Sequence, residues 1–93
     1  MRVGILTVTL RADWVHSLKE KRMVVRSLCD RVRNRFNVSI AEVEAQDLHQ
    51  RVVLGIACVA GDAAQADSIL DHVLNFIEGA SDAVVDGESR EVY

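Results

Sequence analysis

Apolar residues follow two rhythms along the chain. In "VGILTVTL", residues 3–10, β-branched and apolar side chains run together and stop at the polar "RAD", the signature of a strand. From Leu18 the rhythm changes: Leu18, Val25, Leu28, Cys29, Val32 and Phe36 gather on one side at ~100° per residue, which predicts a helix ending near Asn37. Ser17 and Glu20 open it as a capping box, the serine hydroxyl taking a backbone N–H of the first turn and the glutamate reaching back to the serine N–H. "VSIAEVEA" (38–45) and "QRVVLGIACVAG" (50–61) then read as two strands of a hairpin joined by the polar turn "QDLHQ". A second helix is predicted from Asp62, with Gln65 as the reciprocal capping residue, Ala66, Ile69, Leu70, Val73, Leu74 and Ile77 on its buried side, and Gly79 as its C-terminal cap. "DAVVDGESREVY" closes the pattern as an edge strand, where Gly87 and the charges suit exposure.

The order βαββαβ predicts an α+β fold, the ferredoxin-like plait: one domain over residues 1–93, with a four-stranded antiparallel sheet and both helices on one face. Both central strands are apolar on both sides. In the first, Val3 and Ile5 oppose Leu6, Val8 and Leu10; in the third, Val52, Leu54, Ile56 and Cys58 oppose Val53, Ala57 and Val59. Two helices cover one side only. The other is expected to be an exposed apolar patch and, most simply, the interface of a homodimer.

Charge changes the picture because it is unevenly distributed. Residues 1–36 carry nine Lys and Arg against three acids, giving +6, whereas residues 37–93 carry two against eleven, giving −9. Seven of the eleven Lys and Arg lie in "HSLKEKRMVVRSLCDRVRNRF", residues 16–36. Around Val25, the 100° step places Lys19, Arg22, Arg26 and Arg33 roughly 60° to 120° to one side; around Leu70 it places Asp67, Asp71 and Glu78 roughly 60° to 100° to the same side. Right-handed crossovers turn these flanks toward opposite edges of a plait, leaving Val24, Ile69, Val73 and Phe76 to form the seam between the helices.

Lys19, Lys21 and Arg22 also crowd a helix N-terminus, where the macrodipole disfavours cations. Lys19, Lys21, Arg22, Arg26 and Arg33 are therefore the candidate residues for an anion or nucleic-acid backbone, with a small-anion sensor or enzyme using the helix start as a further alternative. Arg31, Arg33 and Arg35 sit where the dipole favours them, and Asp30 has Arg26 or Arg33 within reach. The hairpin turn gathers a second polar group, Asp47, His49, Gln50 and Arg51, as candidate partner contacts.

The remaining chemistry is sparse. Cys29 and Cys58 have apolar neighbours and no metal-ligand spacing, and His16, His49 and His72 are scattered, so neither a metal nor a cofactor is expected. Ser17 and Glu20 are explained by capping rather than by a triad with His16, no glycine-rich phosphate loop is present, and catalysis is not expected. Trp14, Tyr93, Phe36 and Phe76 provide no aromatic pair on a central strand for base stacking. "MRVGILTVTLRAD" has neither the apolar length of a membrane span nor a cleavage site, so a cytoplasmic protein without a membrane partner is expected.

In "HSLKEKR" (16–22), "NVSIAEV" (37–43) and "QDLHQRVVLGIACV" (46–59) the chain resembles the YlxP-like family of short bacterial proteins of unknown function, over nearly its whole length. The resemblance implies a ferredoxin-like fold. It also implies, through genes that commonly neighbour those of a transcription elongation factor, a translation initiation factor and ribosome-binding factor A, work on RNA or a ribosomal particle. It implies no catalytic residues. His49 departs from the aromatic residue, such as tryptophan, that relatives often carry there.

Overall fold

Alternation along β1 (Arg2–Arg11) sends Leu6, Val8 and Leu10 into the core and leaves Val3, Ile5, Thr7 and Thr9 on the opposite side. The computed structural model describes residues 1–93. After β1 come α1 (Leu18–Arg35), β2 (Ser39–Glu44), β3 (Arg51–Ala60), α2 (Ala63–Ala80) and β4 (Val84–Val92). The sheet order is β2-β3-β1-β4, antiparallel at every pairing. This is the plait that the pattern predicts.

β1 and β3 pair along their full length, from Arg2 opposite Ala60 to Arg11 opposite Arg51. Val52, Leu54, Ile56 and Cys58 join Leu6, Val8 and Leu10 under the helices, with Ala66, Leu70, Val73 and Ile77 of α2 and Leu28, Cys29 and Val32 of α1. The helices meet through Phe36 and Phe76, whose rings lie edge to face with centroids 5.7 Å apart. Val24 and Ile69 are partly buried against the same core.

Both capping boxes form, with one change of partner. Ser17 Oγ accepts from Glu20 N at 3.1 Å, and Asp62 Oδ1 from Gln65 N at 2.8 Å. The reciprocal side chains reach one residue further out than expected, Glu20 to the N–H of His16 and Gln65 to the N–H of Gly61. Ser17 and Asp62 are extended, which turns the preceding N–H toward the first turn.

Gly79 is not the cap of α2. The helix runs through it to Ala80 and leaves in an extended conformation at Ser81. A left-handed glycine is unnecessary because Arg31, from α1, donates to Ala80 O at 2.8 Å and satisfies a terminal carbonyl. The left-handed position falls instead at Ala45 (φ 57°), directly after β2. There the backbone turns out of the strand, and a lysine from α1 holds its carbonyl.

The side of the sheet away from the helices is open only in part, since Val53 of β3, expected in its exposed patch, is buried there at 1% exposure. Val59 there is 65% exposed, and Val43, Val84 and Tyr93 are also exposed. A shallow apolar trough lies over Ile5, Ala41, Val43, Gly55 and Ala57. At Gly55 a Cβ would stand 2.9 Å from Val43 Cγ1, so the missing side chain lets Val43 lie across β3.

Candidate nucleic-acid interface

α1 sorts its cations by flank. Lys21 belongs to the core: its side chain is 1% exposed, its Nζ lies 2.7 Å from Glu42 Oε2, and it donates to Ala45 O at 2.5 Å. No aligned donor reaches Glu42 Oε2, so charge attraction holds the contact. Lys21 is thus withdrawn from the five candidate anion-binding residues. The 100° step already places it ~40° from Val25, inside the buried arc, and β2 alternation puts Glu42 on the same side as buried Ile40. Reading the basic residues as a run hid this.

Arg31 and Arg35 face α2. Besides its bond to Ala80 O, Arg31 stands 5.8 Å from the Phe76 ring centroid, and Arg35 stands 5.2 Å from it. A guanidinium at the end of α2 also opposes that helix's negative pole, where α2 has no basic residue of its own. Arg33 is partly committed, donating to Ile40 O at 2.7 Å and pairing with Asp30 at 3.3 Å. Asp30 therefore chooses Arg33 over Arg26.

Lys19, Arg22 and Arg26 remain. All three are exposed, and their side chains form no ion pair or hydrogen bond within the chain. With Met23 they surround a small hollow on the outer side of α1. A groove beside it, between α1 and β2, is lined by Arg22, Arg26 and Arg33 together with Val25, Cys29, Ala41 and Glu42. Burial pushes the Cys29 thiol up, keeping it neutral at the floor of this groove.

The opposite edge of the sheet carries the acids. Asp67 and Asp71 of α2 lie against β4, where Arg90 pairs with Asp71 at 2.7 Å and Asp67 at 3.6 Å. That partial neutralisation has no counterpart at Lys19, Arg22 and Arg26. At the helix start Ser17 takes one N–H and Lys21 turns inward.

The turn residues are brought together, though not all are free. Asp47, His49, Gln50 and Arg51 border an open depression with Arg11, Asp13 and Leu48. Gln50 is occupied, its Nε2 donating to Asp13 O at 3.0 Å and Val15 O at 3.1 Å, which fastens the hairpin to the loop before α1. Its amide nitrogen is thereby committed within the chain, while the residue itself stays exposed. Arg11 is held by Asp13 and Asp86. No helix is long and apolar enough to cross a membrane.

A family described as "Protein of unknown function (DUF503)" matches residues 3–88. The chain is 48% identical, over 62 residues covering 67% of each protein, to the "Uncharacterized protein YlxP" of Bacillus subtilis (strain 168). Among solved structures it is similar to the solution NMR structure of a de novo designed protein with ferredoxin fold, at TM-score 0.59 and 20% identity over 99% of this chain and 84% of that one. That likeness concerns the fold alone.

Proposed function

The chain belongs to the DUF503 family of proteins of unknown function, and we propose that it is a non-enzymatic protein that associates with RNA or a ribosomal particle through the outer flank of α1. The observation that carries this reading is the sorting of cations. Those that serve the fold find partners inside the chain, while Lys19, Arg22 and Arg26 stand exposed, adjacent and unpaired on one flank. Like charges held this close repel one another; a polyanion relieves the repulsion and releases its counterions on binding. The RNA setting implied by the YlxP-like resemblance points the same way.

Lys19 to Arg26 spans about 10 Å along the helix axis. The three unpaired cations within that span allow about three phosphate contacts. Affinity for RNA should then fall with salt at a log–log slope of about −2. The test is sedimentation from a native lysate at low salt, with and without ribonuclease. Co-sedimentation with ribosomal particles or RNA, lost on ribonuclease treatment or salt, is expected; a wild-type protein that stays at the top of the gradient at low salt contradicts the reading.

The open sheet face favours a second, compatible activity, self-association as a homodimer. Val59 and Val43 are exposed beside an apolar trough, and Thr7, Thr9 and Ser89 extend the same face between Glu91 at one end and Arg11 and Arg51 at the other. Light scattering at high concentration should give twice the chain mass, and Val59→Glu should return it to the monomer value. A strict monomer would count against this activity without touching the basic flank on the other side.

A further inference from the structure

We propose that the outer flank of α1 takes an unpaired stretch of RNA and lays one base over Met23, an assignment that rests on the RNA reading above and names its substrate class. Met23 is 66% exposed although it lies in the middle of a helix whose neighbouring apolar residues Val24 and Val25 are partly buried. It belongs to no core. The hollow in which it lies is lined otherwise only by Lys19, Arg22 and Arg26. The patch therefore combines a polarizable apolar centre with a cationic rim.

A nucleotide has that chemistry in reverse, an apolar π face joined to an anionic phosphate. Thioether sulfur makes favourable contacts with aromatic rings, and guanidinium planes stack on bases while also holding phosphates. Three cations alone would serve a duplex as well as a single strand. Met23 breaks that equivalence. In a paired A-form helix the base faces are stacked inward, the deep major groove is closed to side chains and the shallow minor groove offers only base edges and 2′-hydroxyls, so no base face is open to Met23. In a single strand a base can swing out onto it while its neighbouring phosphates reach Lys19, Arg22 and Arg26.

The experiment compares the full chain and its Met23→Ala and Met23→Phe variants for binding to fluorescent oligouridylate and to an RNA hairpin of the same length, each over a salt series. The proposal expects wild type to prefer oligouridylate. It expects Met23→Ala to lose about twofold to tenfold on that strand alone, the range of a sulfur–ring contact, with the salt slope unchanged, and Met23→Phe to retain or gain affinity. Equal binding of the two RNAs, or a single-strand preference indifferent to Met23→Ala, overturns the base contact and leaves the RNA reading standing. No binding to either RNA removes both. Met23 is exposed, so the variants should fold, and matching circular dichroism spectra establish that they do.

Discussion

On the inner side of α1, Lys21, Arg31 and Arg35 are fixed by a carboxylate, a helix-terminal carbonyl and an aromatic ring; on the outer side, Lys19, Arg22 and Arg26 touch no acceptor in the chain. The two groups share residue types, a helix and a stretch of sequence. What separates them is angle about the helix axis. A charge run is therefore a poor unit of interpretation, because within one run some cations hold the fold together and others have no partner within the chain.

The sharpest way to break this contrast is to remove an inner cation. Lys21→Ala leaves the partly buried Glu42 without its cation beside an empty space in the core, and urea unfolding should show a loss of about 3 kcal/mol. Replacing both partners, as Lys21→Met with Glu42→Leu, should recover most of it, since an apolar pair of similar volume avoids the desolvation of two charges. If Lys21→Ala unfolds at the wild-type midpoint, the inner assignment is wrong.

Smaller effects should follow at the helix ends. Ser17→Ala removes the hydroxyl that takes the Glu20 N–H and should cost about 1 kcal/mol in the same assay. Arg31→Gln loses the charged cap on Ala80 O and the contact with Phe76, and should cost about 1 kcal/mol with no change in RNA affinity. The smallest stability effect belongs to the outer flank. Arg22→Gln with Arg26→Gln should stay within about 0.5 kcal/mol of wild type, because neither side chain has a partner to lose.

The fold was legible because its signals agree at several levels. Period-2 and period-3.6 patterns, two capping boxes and short turns all indicate the same βαββαβ order, and Ser17 and Asp62 cap the helices they were expected to cap. Departures arise where a side chain acts across the structure. Gly79 was the natural local stop for α2, yet Arg31 from the other helix supplies what a glycine cap would have supplied. Gln50 resembles a surface turn residue until the loop before α1 is folded beneath it. Lys21 was readable from helical rotation, whereas its bond to Ala45 O depends on where β2 ends. Of the candidate site, Lys19, Arg22 and Arg26 keep their place on the free surface, Arg33 is shared with β2, and Lys21 is part of the core.

The two-flank account is tested most directly by the salt dependence of RNA binding in three proteins: wild type, Arg22→Gln with Arg26→Gln, and Arg31→Gln with Arg35→Gln. Two phosphate contacts on a single strand are worth about 1.4 in the log–log slope. The account predicts that the outer pair flattens the slope from about −2 to about −0.7 while the inner pair leaves it unchanged. Equal flattening by both pairs, or a wild-type affinity indifferent to salt, would contradict it.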